Sequence, residues 1–303
     1  MKNNQLMIYG AYGYAGELMV REAVAQGLRP IIAGRDDEKL KPIATELSLE
    51  CRAFGVRNTG SNLQDISVLL NCAGPFSATA EPLARACLAQ QIHYLDITGE
   101  IDIFRKCHAL DEEARQQNVL ILPGAGTDIV PTDCLAAMLK EKLPVATRID
   151  LALSFGTNPS IGTVNTMIES FGKGGLIREG GMLKVVSNAF QMRKIPFQNK
   201  PQWAMTIPWG DVFTSGISTG VPDGAVYMAM PRMSIYMIRL TNPVKGILNT
   251  QFGQKITKRL AGWLMKKGPD AKALEAGRGQ FWGEAEAPDG EKLEMTMSTP
   301  NVY

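Results

Sequence analysis

Three glycines spaced three residues apart, Gly10, Gly13 and Gly16, close the segment Leu6-Met7-Ile8-Tyr9-Gly10-Ala11-Tyr12-Gly13-Tyr14-Ala15-Gly16. Their chemical value is the side chain they lack. Gly10 lets the backbone turn sharply off an apolar strand, and Gly13 lets N–H groups approach a diphosphate. Gly16 lets the next helix pack closely on the sheet. A helix beginning at about Glu17 would aim its positive N-terminus at the same anion. Strand, glycine turn and helix in that order form a dinucleotide seat, here lined by Gly10, Tyr12, Gly13, Tyr14, Ala15 and Gly16. Tyr12 and Tyr14 flank Gly13 and are placed to cover the ligand rather than to donate a proton.

The next strand bears on which dinucleotide is bound. Pro30-Ile31-Ile32-Ala33 runs into Gly34-Arg35-Asp36-Asp37. A site for NAD usually carries an acidic residue at this strand end, about 20 residues past the glycines, to hold the ribose 2′-hydroxyl. Gly34 and Arg35 stand there instead. A guanidinium suits a 2′-phosphate, which it grips through two parallel hydrogen bonds, so the expected cofactor is NADP(H). Arg35 also has a plainer reading as a solvated residue, with Asp36 or Asp37 as an N-cap.

Other strand ends carry turn and polar residues. Asn71-Cys72-Ala73-Gly74-Pro75 should run beside the ribose and nicotinamide, with Gly74 permitting close approach and Pro75 stiffening the turn. Asp96-Ile97-Thr98-Gly99-Glu100 and Pro123-Gly124-Ala125-Gly126-Thr127-Asp128 should line the same crevice, since ligands of open parallel sheets sit beyond the strands' carboxyl ends. Asp96, Glu100 and Asp128 are the catalytic candidates, able to position a substrate or relay a proton. Each has an alternative role as a helix cap or backbone clamp. No nucleophile, lysine or histidine presents itself as the acid.

These residues need a scaffold, and the chain's periodicity supplies one. Residues 1–145 alternate strand and helix, with strand-like runs near 5–9, 30–33, 50–55, 67–72, 93–97 and 119–122. Helical patterns include Glu81–Gln90 and Asp102–Gln117. This predicts an α/β, Rossmann-type doubly wound parallel sheet for dinucleotide binding. Residues 146–303 read as a second α+β domain, for substrate or dimerisation, on a mixed or antiparallel sheet. Thr147–Phe155 is apolar at 149, 151, 153 and 155, which predicts a strand with one covered face. Gln280–Ala287 and Lys292–Thr299 flank Pro288-Asp289-Gly290 and predict a hairpin. Ile161–Phe171 and Gly253–Lys267 read as helices.

Composition narrows the function classes. Of 303 residues, 45% are hydrophobic and 20% charged, as expected for a globular chain of two domains. No apolar run approaches the ~20 residues that span a bilayer. The first strand begins by about Gln5, which leaves no room for a signal peptide, and a cytoplasmic setting is expected. Five scattered cysteines and two histidines, His93 and His108, suggest neither a disulfide framework nor a metal site. Net charge is +2, yet Gly180–Pro269 alone carries +10. Two readings of this basic, methionine-rich stretch stay open. It is a core-packed amphipathic helix with a solvated face, or a surface for a membrane or an anionic acyl carrier. Nucleic acid is not expected, since aromatics do not interleave with the cations.

Gly-Ala-Tyr-Gly-Tyr-Ala-Gly at 10–16, Ala-Gly-Arg at 33–35, Asn-Cys-Ala-Gly-Pro-Phe at 71–76 and Asp-Ile-Thr-Gly-Glu at 96–100 resemble the saccharopine dehydrogenase-like oxidoreductases. The similar branch includes trans-acting enoyl reductases of lipid biosynthesis. Pro-Gly-Ala-Gly-Thr-Asp-Ile-Val-Pro-Thr-Asp at 123–133, Pro-Trp-Gly-Asp at 208–211, Ser-Thr-Gly-Val-Pro at 218–222 and Trp-Gly-Glu-Ala at 282–285 extend the resemblance over nearly the whole chain. It implies an NADP-linked oxidoreductase acting on an enoyl or carbonyl group of a hydrophobic or acyl-chain substrate, with a homodimer in view. It also implies a chain shortened at its C-terminal end relative to its family. Two other functions stand beside this: a non-catalytic NADP-binding redox sensor or scaffold, and an amino-acid-linked dehydrogenase. The latter needs convergent Arg and Ser/Thr groups, which the sequence does not display.

Overall fold

The computed structural model describes residues 5–155, 174–244, 250 and 277–300. The helical patterns at Ile161–Phe171 and Gly253–Lys267 lie outside the described residues. The chain divides into two compact units, Met1–Asp128 and Ile129–Tyr303.

The first unit is a six-stranded, wholly parallel sheet in the order β3-β2-β1-β4-β5-β6. Its elements run β1 (Leu6–Tyr9), α1 (Tyr14–Ala25), β2 (Ile31–Gly34), α2 (Asp37–Leu47), β3 (Cys51–Ala53) and β4 (Val68–Asn71). Then follow α3 (Phe76–Ala89), β5 (His93–Asp96), α4 (Ile101–His108), α5 (Asp111–Gln116) and β6 (Ile121–Leu122). The strand order reverses between β1 and β4, the switch point at which doubly wound sheets open a crevice. Alternate residues of β1 feed two cores, as period-two geometry requires. Met7 and Tyr9 join Leu69, Leu83, Cys87 and Tyr94, whereas Ile8 joins Val20, Ile32 and Leu40.

Two expectations are corrected here. The helix expected over Asp102–Gln117 is broken at Ala109 and Leu110. Leu110 N–H donates to the Cys107 carbonyl 3.0 Å away, a tightened turn that sends Leu110 and Ala114 into the core. The helix expected at Glu81–Gln90 starts earlier, at Phe76, directly after the 71–75 loop.

The second unit holds α6 (Val130–Lys142) and an eight-stranded mixed sheet. Its strands are β7 (Arg148–Phe155), β8 (Gly175–Glu179), β9 (Met182–Val186), β10 (Met192–Pro196), β11 (Pro201–Ile207), β12 (Asp223–Ala229), β13 (Gly279–Glu286) and β14 (Lys292–Thr299). Helices α7 (Asp211–Thr219) and α8 (Arg232–Leu240) flank β12 in sequence. The main path is β10-β11-β12-β7-β13-β14, with β7 and β12 parallel and the other pairs along it antiparallel. The expected hairpin is present, Glu286 opposite Lys292, with Gly290 at φ +88° in its turn. The sequence sets the boundary at 145, whereas by packing α6 belongs with the second unit. A Cβ on Gly283 would lie 2.6 Å from Leu139 of α6, so this glycine lets the helix close on the sheet.

Strand β7 departs from its alternation pattern. Asp150 and Ser154 are buried along with Ile149, Leu151 and Leu153, because the strand is central and covered on both faces. Polar residues survive there because they are paired. Asp150 binds Arg148 at 2.9 Å, Arg193 at 3.5 Å and the Ala225 N–H at 3.0 Å. Arg193 also grips Glu284 through two 3.0 Å bonds and lies 4.7 Å from the Trp282 ring. Burial alone would raise Glu284; the Arg193 guanidinium outweighs it and holds the carboxyl below its ordinary value.

Candidate functional site

The first unit's rim is built from the loops that leave β1, β2, β4, β5 and β6. Gly10 turns off β1 at φ +86°, and a Cβ there would sit 2.7 Å from the Ala73 nitrogen. Two neighbouring loops are thereby held in close contact by the absence of one atom. Gly16 plays a more local part than its sequence reading. Its Cβ would fall 2.2 Å from the Gly10 carbonyl oxygen, so it closes helix α1 onto the turn itself. Gly13 caps α1 in extended conformation with no side chain bonding the helix end. A Cβ on Gly13 would meet only the Gly10 oxygen, at 3.2 Å, and one on Gly74 would meet nothing within 4 Å.

Over those two glycines the rim is open. Helix α3 begins at Phe76 with Pro75 at its N-cap, also without a side-chain cap. Two uncapped helix N-termini and open space over Gly13 and Gly74 fit a dinucleotide diphosphate, which supplies the missing acceptors. Ala15 is half-buried in the first turn of α1, and Tyr14 is exposed beside it.

The strand-end residues of β2 form the next part of the rim. The Tyr12 ring lies on Gly34, where a Cβ would come within 2.6 Å of its Cε1. Asp36 is the N-cap of α2, accepting from the Lys39 N–H at 3.4 Å, which leaves Asp37 in the first turn. Arg35 is exposed and has no ion-pair partner among the described residues. Lys39, which the sequence reading did not single out, lies 5.6 Å from the Tyr12 ring centre and 3.2 Å from Asp36. The signal was there: two residues of opposite charge three apart at a helix start.

The next three loops are tied by a buried chain of hydrogen bonds. Asn71 Nδ2 donates to Thr79 Oγ1 at 3.2 Å and to the Tyr94 hydroxyl at 3.1 Å, while its Oδ1 accepts from the Ala73 N–H at 3.0 Å. Tyr94 donates to Asp96 at 2.8 Å. Asp96 also accepts from the N–H groups of Thr98, at 3.0 Å, and Gly124, at 2.9 Å. The Thr79 hydroxyl closes the first loop on the Ala73 carbonyl at 2.6 Å.

Asn71 and Asp96 are both fully buried. Their side chains brace the loops and are unavailable to a ligand. Burial raises the Asp96 carboxyl against the pull of its three donors, and burial, then Asp96, hold the Tyr94 hydroxyl well above its ordinary value. Tyr94, Thr79 and Thr98 are the residues that sequence reasoning missed. Their partners lie on other strands or loops, and no local pattern marks them. Cys72 is buried against Met19, its thiol pushed up to about 12, and is therefore no nucleophile.

Glu100 and Asp128 remain on the rim. Glu100 is half-buried at the N-cap of α4, its N–H donating to Thr98 Oγ1 at 3.1 Å. Asp128 has its Oδ2 3.5 Å from the position of a Gly99 Cβ, and burial pushes its carboxyl up to about 6. A carboxyl at that value exchanges its proton near neutral pH. Among the described residues no group of three or more His, Cys, Asp or Glu could hold a metal ion.

The geometry leads to a comparison with known proteins. Residues 6–122 match the family described as the saccharopine dehydrogenase NADP-binding domain. Beyond that domain, the chain is similar to proteins named saccharopine dehydrogenase-like oxidoreductase. Its first unit is a domain for a nicotinamide dinucleotide. A saccharopine dehydrogenase-like oxidoreductase of Rattus norvegicus is 25% identical over 231 residues, covering 67% of this chain and 53% of the relative. A protein of Mycobacterium tuberculosis, named as a candidate trans-acting enoyl reductase, is 28% identical over 205 residues, covering 61% and 44%. The chain thus spans about half the length of the curated relatives it matches. The solved apo saccharopine dehydrogenase (L-Glu forming) of Saccharomyces cerevisiae aligns with 98% of this chain and 85% of its own. Its TM-score is 0.65 at 8% identity, a likeness of fold.

The second-half signature residues have structural roles. Trp282 is fully buried and donates to Glu294 at 3.2 Å, Trp209 lies against Phe155, and Asp211 opens α7.

Proposed function

We propose that the protein is an NADP(H)-dependent oxidoreductase that reduces an enoyl or carbonyl group of a hydrophobic, acyl-type substrate. The observation that carries the coenzyme choice is Arg35: an exposed guanidinium without an ion-pair partner among the described residues, just past β2. No carboxylate stands there to hold a 2′-hydroxyl, because Asp36 is committed to capping α2. Lys39 adds a second cation over the Tyr12 ring.

When bound, the reduced coenzyme supplies a hydride. The chain's own residues do the rest. The N-termini of α1 and α3 hold the diphosphate, and the braced 71–75 loop keeps the reacting end in register. Asp128 holds a proton to about pH 6 and is the group best suited to give or orient one. Reduction of an enoyl group is supported by the similarity to the mycobacterial protein named as a candidate trans-acting enoyl reductase.

A second reading, a dinucleotide-binding redox sensor without turnover, is favoured by one observation. Most of the rim's polar side chains are spent on bracing loops. Calorimetric titration with NADPH and NADH, followed by NADPH oxidation with a panel of enoyl and keto thioesters, separates the two. Turnover on a thioester supports the reductase; tight binding with none supports the sensor. Arg35→Ala should weaken NADPH binding by ~1.5–3 kcal/mol and leave NADH nearly unchanged. Equal losses for both would remove the basis for the coenzyme choice.

A further inference from the structure

Charge crowds the turn that follows β2. Residues 35–41 read Arg-Asp-Asp-Glu-Lys-Leu-Lys, three cations and three anions in one short run. The acids suit helix α2, whose N-terminus is positive and is stabilised by carboxylates in the cap and first turn. They suit a phosphate badly. Asp36 follows directly on Arg35, so its carboxylate stands one residue from the guanidinium assigned to the 2′-phosphate and has the same sign as that ligand. Helix and ligand thus ask opposite things of one segment. Two lysines further along the helix resolve the conflict. Lys41 pairs with Asp37 at 2.8 Å and with Glu38 at 2.7 Å, and Lys39 pairs with Asp36 at 3.2 Å. All three carboxylates are taken, and Arg35 is left as the cation without an ion-pair partner among the described residues.

Lys39 differs from Lys41 in where it sits. Its ammonium reaches both the Asp36 carboxylate and the Tyr12 ring of the glycine turn, 5.6 Å from the ring centre, so it lies on the rim. Its hydrogen bond to Asp36 is the main cause that holds that carboxyl below its ordinary value, and Asp36 is charged at neutral pH. Stability does not account for the pair. Lys39 and Asp36 are 65% and 36% exposed, and ion pairs so wet add little to folding. Beside a dianion the same pair has a larger consequence, because an unscreened carboxylate next to Arg35 would cancel much of the guanidinium's pull. We infer that Lys39 sets the coenzyme preference through Asp36: it neutralises that carboxylate, so that Arg35 presents an undiminished positive charge to the 2′-phosphate. Lys39 acts on the phosphate through Asp36 and not by gripping it, and the inference rests on the NADP(H) reading.

The test is calorimetric titration of the full chain with NADPH and with NADH. Lys39→Gln should weaken NADPH binding about three- to tenfold and NADH binding less than about twofold, since only NADPH carries the extra phosphate. Adding Asp36→Asn, which keeps an acceptor at the N-cap, should return NADPH affinity to within about twofold of wild type. Lys39→Arg should keep the wild-type preference, and the Lys39→Gln loss should shrink in high salt. Arg115→Gln, which breaks an exposed pair of the same kind on α5 (2.8 Å to Asp111), should change binding of neither coenzyme. Unchanged melting temperatures show that the variants are folded. No loss in Lys39→Gln, equal losses for both coenzymes, or a loss that Asp36→Asn fails to repair overturns the inference; the last would make Lys39 a direct ligand of the phosphate. Arg35→Ala keeps the two readings apart. A wild type that prefers NADPH through Arg35 and ignores Lys39→Gln refutes the inference alone, whereas one that binds both coenzymes alike refutes the coenzyme choice as well.

Discussion

The two sheets place their buried polar residues differently. In the parallel sheet the strand interiors are apolar, and Asn71 and Asp96 stand at carboxyl ends, where they tie down loops. In the mixed sheet Asp150, Arg193 and Glu284 lie within strands and pair with one another across them. The difference separates a site from a scaffold. Polar groups at strand ends shape a surface that a ligand can meet, whereas polar groups within strands fix which strands are neighbours. The first arrangement is expected to couple to binding and the second to stability alone.

That distinction can be broken by experiment, beginning with the scaffold. Glu284→Ala leaves Arg193, itself one-third exposed, with only Asp150 at 3.5 Å. It should cost ~2–3 kcal/mol of unfolding free energy, reduced from a fully buried pair by that exposure. The NADPH dissociation constant should not move. A loss of affinity in this variant would show that the mid-strand charges are not merely structural. Tyr94→Phe should do the reverse in kind. Removing the hydroxyl leaves Asn71 and Asp96 each short of a partner, costing ~1–3 kcal/mol, and it should also weaken NADPH binding as the loops slacken. Denaturant melts and titrations on one preparation give both numbers. Loss of stability with unchanged affinity would reduce Tyr94 to a core residue.

The smallest effect concerns Asp128. Its folded carboxyl titrates at about 6 against an ordinary 3.8, so ionisation opposes folding above pH 6. Asp128→Asn should therefore stabilise the protein by ~1–2 kcal/mol above pH 6, after discounting for partial exposure. The gain should shrink as pH falls through 6 and vanish below about 4, where both states of the wild type are protonated. A gain independent of pH would show that ionisation is not its source. If the reductase reading holds, the variant's rate should also lose its dependence on a group near pH 6.

The sequence reveals what is local. The glycine turn, the strand–helix alternation and the Pro-Asp-Gly hairpin are written in neighbouring residues, and each is present, with two helix bounds of the alternation corrected. What depends on distant partners was not legible. Asn71 and Asp96 look like ligand-facing residues until Tyr94 is seen to join them from within the sheet. Asp150 and Ser154 look like the wet face of a strand because their cover comes from residues 40 or more positions away. The placement of α6 depends on Gly283, more than 100 residues further along. Arg35 could be read because its meaning lies in a local substitution, a cation where a carboxylate would otherwise stand.

The Tyr94 phenol and the Asp96 carboxylate together join three rim loops. Loops cross-braced through this buried pair cannot close independently over an arriving molecule, so the first unit offers its coenzyme a preformed berth. Little chain entropy is lost on docking, and arrival should be quick, with residence time governed by how many phosphate contacts must break at once.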